Sequence, residues 1–321
     1  MKDAPSGRAQ SARLDDGRWH LQHGPIDLVI EADGSESEVN QAYSRARERF
    51  DSVLDELVRE LGTLREPLGA ERPEVAGPVA LRMVDAAWPH RDELVTPMIA
   101  VAGAVADEVL GAMIDKGTLR RAYVNNGGDI AVHLTPGACF RVGLVSEVER
   151  ATMAGCVRIE FANPVRGIAT SGWRGRSFSF GIADAVTVLG VNAAAADVSA
   201  TLIANAVNAD NDLAVSRRAD DPVRRTPANA VADWTDLGGR PVTVAVGALP
   251  CAIVERSLDA GAVRAAAAFA SGEVTAAALF LQGASRIVGP GAAALALEDG
   301  ANPGLPARQV RLLGGVHNAS N

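Results

Sequence analysis

The stretch from Gly181 to Val207, GIADAVTVLGVNAAAADVSATLIANAV, constrains the fold more than any other part of the chain. The apolar run Ala185 to Leu189 reads as a strand. It leads through Gly190 and Asn192 into an alanine-rich helix over Asn192 to Val207. That helix carries Asp197 and Thr201 four residues apart. Residues at this spacing lie one above the other, with β-carbons about 5–6 Å apart. A carboxylate and a hydroxyl can then point at one spot, as a hard cation such as Mg²⁺ requires. The neighbouring alanines leave room for an approaching ligand. The spacing also fits plainer roles. Asp197 as a first-turn acid would gain about 0.3–1 kcal/mol from the helix dipole. Thr201 could bond back to a carbonyl of the preceding turn.

The 321 residues suffice for one large domain or two small ones. With 48% hydrophobic and 22% charged residues, a sizeable core is available and wholesale disorder is disfavoured. Aromatics are only 4%, so that core is built from Ala, Val, Leu and Ile. The net charge of −8 argues against non-specific binding to nucleic acid or an anionic membrane. The pairs Arg217–Arg218 and Arg224–Arg225 flank Asp220 and Asp221 and read as a solvated loop. Cys139, Cys156 and Cys251 are widely spaced, which fits reduced thiols in a cytoplasmic protein. No cysteine–histidine spacing suits structural zinc. Met1 to Arg18 has no apolar signal-peptide core. No uninterrupted apolar stretch reaches the roughly 20 residues of a membrane span. The apolar, weakly aromatic composition suggests a homodimer.

Residues 1–18 are expected to form a disordered tail, 19–290 a single domain and 291–321 a C-terminal extension. Trp19 to Glu31 reads as two short strands about Gly24-Pro25. Ser35 or Ser37 caps a helix over Glu38 to Leu61, whose apolar stripe includes Ala42, Ala46, Phe50, Leu54 and Leu57. Pro78 to Trp88 and Pro97 to Ile114 read as helices, and Gly103 inside the second permits close approach of a ligand or a neighbouring backbone. Arg121 to Leu134 reads as strand, turn, strand. Short strands follow at Phe140–Leu144, Val157–Phe161, Gly167–Thr170 and Ser177–Phe180. Beyond the metal-spaced helix, Asn208 to Ala232 reads as a polar loop and Val242 to Val246 as a strand. Ile253 to Ala270 follows as a helix, and Thr275–Leu281 with Ser285–Val288 as a hairpin. The order predicts an α+β fold of mixed or antiparallel sheets packed with alanine-rich helices. GAVADEVLGAMI at 103–114 faintly echoes AAAADVSATLIA at 193–204.

Two turns carry candidate ligand chemistry. In Asn125-Asn126-Gly127-Gly128-Asp129, adjacent glycines admit positive φ, and the amides can form an anion-binding nest. The same text is a strong hairpin signal. Thr170-Ser171-Gly172 ends a strand, and its hydroxyls and amides suit a phosphate. Arg174 and Arg176 can add charge-assisted bonds, and Trp173 can stack on a ring. A metal-free alternative uses Asp129 or Asp184 as a general base. No histidine lies near a serine in sequence to activate it; His133 would have to arrive through the fold.

Four segments in order resemble the ApbE superfamily, whose namesake is FAD:protein FMN transferase: AVAGAVADEV (100–109), YVNNGGDIAV (123–132), IATSG (168–172) and SFSFGIADAVTVLGVNAAAADVSATLIANAV (177–207). With LREP (64–67) and ALFLQGASRIVG (278–289), the resemblance spans roughly 19 to 290 and is nearest to an uncharacterised ApbE-like branch. It implies that Asp197 and Thr201 hold Mg²⁺ as the catalytic pair, with a backbone carbonyl from Ile99 to Gly103. It also implies that Asn126, Gly127, Gly128, Asp129, Thr170, Ser171 and Gly172 face FAD or a related flavin nucleotide. The chain departs from the transferase pattern twice. Ala102 stands where a lysine precedes the helix glycine, and WRGRSFSFGIAD lacks the histidine and proline of the segment after Thr-Ser-Gly. Those groups help hold FAD. The implied function is therefore a divalent-metal site with a phosphate-bearing or other anionic small ligand, either transferase-like or a non-catalytic flavin or metabolite binder.

Overall fold

The computed structural model describes residues 8–147, 152–208, 221–232 and 235–292. In chain order they form β1 (Gln10–Arg13), β2 (Trp19–His23), β3 (Ile26–Asp33), α1 (Glu36–Leu64), α2 (Pro78–Ala87), α3 (Val101–Ile114), β4 (Arg121–Asn126), β5 (Asp129–Leu134), β6 (Cys139–Glu147), β7 (Thr152–Glu160) and β8 (Gly167–Ser171). There follow β9 (Ala185–Gly190), α4 (Ala193–Ala206), β10 (Val223–Pro227), α5 (Ala228–Val231), β11 (Pro241–Val246), α6 (Cys251–Ala270), β12 (Val274–Leu281) and β13 (Ala284–Val288). Helices and antiparallel strand pairs make the α+β class expected from the sequence. The chain divides into two compact units, one of 1–139, 160–168 and 191–197, the other of 140–159, 169–190 and 198–321.

In the first unit, β1 to β5 pair in chain order as an antiparallel meander. The expected tail is therefore too long, because Gln10 to Arg13 pairs with β2. These residues are exposed, so backbone pairing rather than burial holds them, and no apolar pattern marks them. Ser35, not Ser37, starts α1 through a reciprocal capping box with Glu38. The buried stripe of α1 includes Ala42, Ala46, Phe50, Leu54 and Leu57, as its periodicity predicts. Ahead of α3, Pro97–Ala100 forms a tighter 3-10 turn. Pro97–Ile114 is long and apolar enough to cross a membrane by length and composition alone, although Asp107 and Glu108 interrupt its apolar run. Half of it is buried within the protein, where α3 packs against α1, α2, β4 and β5.

In the second unit, β9 and β13 flank β12, all antiparallel, and α6 packs on β12 and β13. Ser177–Phe180, expected as a strand, is irregular. Its polar backbone is satisfied elsewhere: Asn205 Oδ1 accepts the Phe180 N–H at 2.9 Å, and the Ser179 carbonyl accepts the Thr243 N–H at 2.9 Å. The loop expected over 208–232 contains β10 and α5. Arg225 lies buried in β10 opposite Thr243 of β11 and donates to Asn208 Oδ1 at 2.7 Å, a long-range pairing with no local period. Arg217, Arg218 and Asp220 lie outside the described residues, as does the C-terminal extension from 293 onward.

Candidate metal and anion site

Two helix starts meet in the first unit. Ala100, at the N-cap of α3, has no side chain able to accept from the first free N–H groups. The acceptor comes from α4: Asp197 Oδ2 takes the Gly103 N–H at 3.0 Å. The converse holds at the start of α4. Asp107 of α3 accepts the Ala193 and Ala194 N–H groups of α4 at 3.0 and 2.9 Å, and Asn192 Oδ1 takes that of Ala195 at 2.7 Å. Each helix thus lends the other a carboxylate at its positive dipole end. The backbones nearly touch. A Cβ on Gly103 would sit 2.3 Å from the Ala193 carbonyl oxygen, and one on Gly167 1.9 Å from that of Asn192. Gly103 therefore admits a neighbouring backbone, one of the two uses its sequence position allowed.

Asp107 and Asp197 are half-buried residues. Burial pushes Asp197 up to about 7. The Gly103 and Ala102 N–H groups oppose that rise, and the charge of Asp107 adds to it. Burial also raises Asp107 above the usual carboxylate range, against its two helix N–H partners and Arg82. Asp197 is not a first-turn acid in the field of its own helix; its N–H partners belong to α3.

The glycine turn is tied to the same helix start. Asn126 Nδ2 donates to the Ala102 carbonyl at 3.1 Å. Asn126 and Asp129 pair across the hairpin, leaving Gly127 (φ 64°) and Gly128 (φ 121°) as a two-residue turn. The nest expected there is partly filled, because Asn125 Oδ1 accepts the Gly128 N–H at 2.9 Å.

In the second unit, Thr201 Oγ1 donates to Ser171 Oγ at 3.4 Å rather than to a carbonyl of its own helix. The Thr170 and Thr187 hydroxyls share a 2.9 Å hydrogen bond. A Cβ on Gly172 would lie 2.7 Å from the Asp184 carbonyl oxygen, so glycine is needed where this loop meets the segment leading into β9. Asp184 itself is a brace. Its Oδ1 accepts Trp173 Nε1 and Arg174 Nε, both at 3.3 Å, and its Oδ2 accepts the Gln282 N–H at 2.6 Å. The Arg174 guanidinium lies 4.3 Å from the Trp173 ring centroid. His133, in the first unit, has its Nε2 3.2 Å from the Leu119 carbonyl oxygen. Among the described residues no three His, Cys, Asp or Glu side chains gather at metal-binding distances.

A family model described as AbpE bacteria matches residues 11–287. The chain belongs to this family. A UPF0280 protein of Methanothermobacter thermautotrophicus is 38% identical over 152 residues, 45% of this chain and 56% of that protein. A UPF0280 protein of Methanopyrus kandleri is 33% identical over 223 residues, 67% of this chain and 87% of that protein. The match thus spans little more than half of the first relative. Among solved structures, an ApbE protein of Thermotoga maritima superposes with a TM-score of 0.41 at 12% identity, covering 87% of this chain and 96% of that one. The flavin transferase ApbE of Vibrio cholerae gives a TM-score of 0.39 at 13% identity, covering 88% and 98%. The ApbE-like resemblance of the sequence thus agrees with the AbpE family match.

Sequence reasoning passed over Asp107 in this AbpE-family chain. Its signal was present: Gly103 to Asp107 and Ala193 to Asp197 are the same five-residue interval in the two echoing segments. Asp184 gave no comparable sign of its bracing role, since its partners are an indole, a guanidinium and a backbone amide distant in sequence.

Proposed function

We propose that this AbpE-family protein binds Mg²⁺ through Asp197 and Thr201, one turn apart on α4, together with a phosphate-bearing or other anionic small molecule. One observation carries this reading: on one face of α4, Asp197 is held by the Gly103 N–H of α3 at 3.0 Å while the Thr201 hydroxyl, one turn on, makes only a long 3.4 Å contact with Ser171, and burial raises the Asp197 carboxyl. Two half-buried acids make ionisation costly, and a hard cation offsets that cost. The donor set therefore fits the ion, with Thr201 supplying a hydroxyl one turn on. A bound Mg²⁺ supplies Lewis-acid polarisation of a phosphate oxygen. The residues themselves bind and orient: the Thr170-Ser171-Gly172 loop, whose Ser171 hydroxyl lies 3.4 Å from that of Thr201, offers N–H and hydroxyl donors to the anion. A flavin nucleotide is the ligand that the family resemblance favours, and transfer of its FMN portion with release of AMP is the corresponding reaction. We place the protein in the cytoplasm and as a homodimer, the latter checked by sedimentation.

Calorimetric titration of the purified protein with MgCl₂ tests the metal site. Saturable binding that disappears in Asp197→Ala is expected; equal affinity in that variant removes the site. Incubation with FAD and Mg²⁺, followed by assay for AMP, then separates a transferase from a binder.

A further inference from the structure

We infer that Asp107 is the positioning residue of the α4 site: by accepting the Ala193 and Ala194 N–H groups it fixes the start of α4, and with it the placement of Asp197. The inference builds on the metal reading above but stands on its own geometry. Asp107 lies on α3, and its two oxygens take one N–H each, at 3.0 and 2.9 Å. Asn192 takes the N–H of Ala195 but reaches neither Ala193 nor Ala194. Without Asp107, the first two N–H groups of α4 would lose their side-chain acceptor at a crowded, part-buried place. Water has little room there, because Ala193 backbone atoms already lie where a Cβ of Gly103 would fall. The start of α4 would have to shift to find other partners.

Such a shift is transmitted directly. Asp197 lies one turn beyond Ala193 and meets the Gly103 N–H at 3.0 Å. Gly103 lies one turn before Asp107 on the same face of α3. The two carboxylates therefore close a ring through both helices, in which moving one helix start opens both contacts. Asp107 and Asp197 have equivalent bracing roles, but their chemistry differs one turn on. Thr201 follows Asp197, whereas Gly111 follows Asp107. Only the α4 member of the pair carries a second oxygen donor, so Asp107 orients the site without being a ligand. Groups that position a ligand in this way typically cost about 10–100-fold in metal affinity when removed.

The test uses the full chain with Asp107→Ala, with the milder Asp107→Asn, which keeps one acceptor oxygen, and with Val105→Ala as a core variant on the same helix. Two quantities are read: Mg²⁺ affinity by calorimetry, and amide exchange at Gly103, Ala193 and Ala194 by NMR. Asp107→Ala should weaken Mg²⁺ binding by about tenfold or more. It should also deprotect all three amides, with Asp107→Asn intermediate and Val105→Ala within twofold of the parent in affinity. Unchanged affinity in both Asp107 variants of a protein that binds Mg²⁺ overturns the inference. Should the parent bind no Mg²⁺, the metal reading falls, and exchange alone decides. Loss of protection at Gly103, whose acceptor is Asp197, then upholds the coupling. Loss confined to Ala193 and Ala194 overturns it.

Discussion

Gly103 and Ala193 stand so close that a Cβ on Gly103 would lie 2.3 Å from the Ala193 carbonyl oxygen. Backbone cannot move aside as a flexible side chain can. Gly103→Ala should therefore destabilise the protein by at least roughly 1–3 kcal/mol, the usual cost of overpacking. Gly111→Ala, in the same helix, is the contrast: the nearest atom to its Cβ would be Arg82 Nη2 at 4.0 Å. That change should stabilise by up to about 1 kcal/mol through helix propensity. Thermal unfolding of the two variants should move in opposite directions; a shared direction contradicts the close approach.

Asp197 sets a pH dependence of stability. Its native pKa is raised to about 7, above the ordinary value of 3.8. Below pH 3.8 the native and unfolded chains both hold the proton. Between there and about 7 the unfolded chain releases it first, so stability falls as pH rises, and the fall levels off above 7. In EDTA, Asp197→Asn should therefore gain Tm relative to the parent across that window, with little difference at its acid end. A difference that stays constant with pH would contradict the buried-acid assignment. Added Mg²⁺ should restore stability to the parent and leave the variant unmoved.

Thr201 separates a ligand hydroxyl from a packing group. Thr201→Ser keeps the oxygen, while Thr201→Val keeps the shape. Calorimetry should find Mg²⁺ affinity within a few-fold of the parent in the serine variant. It should be at least tenfold weaker, about 1.4 kcal/mol, in the valine variant. Equal affinity in both would assign Thr201 to packing and to its 3.4 Å contact with Ser171 alone.

Asp184 holds the segment between β8 and β9. Asp184→Ala leaves the indole N–H of Trp173, the Arg174 guanidinium and the Gln282 N–H without their carboxylate. Each such donor, where buried, costs roughly 1–3 kcal/mol. Limited proteolysis should cut the variant faster within 172–183 than the parent. An unchanged pattern would show that the loop is held by its backbone contacts alone.

The strands and helices that bury an apolar face were legible because burial imposes a period. The stripe of α1 follows it, while β9 and β12 were legible as continuous apolar runs, buried along nearly their whole length. What escaped is held by polar partners distant in sequence. β1 is exposed and pairs only through its backbone. β10 is recognised by its partner β11, not by its own residues. At the site, the spacing of Asp197 and Thr201 placed both on one helix. It did not reveal that Asp197 also serves a second helix, because that fact depends on Gly103, 94 positions earlier. The hairpin at Gly127 and Gly128 was legible as a turn, while the occupation of its Gly128 amide by Asn125 was not.

The exchanged carboxylates have a consequence for biosynthesis. Asp107 meets Ala193 and Ala194 across 86 and 87 positions, and Asp197 meets Gly103 across 94. A nascent polypeptide halted before residue 191 would contain most of the first unit, yet lack the segment that closes it. The helix bearing Asp107 would emerge from the ribosome with its leading amides still open. Locking of that first half therefore waits for the later helix to leave the exit tunnel.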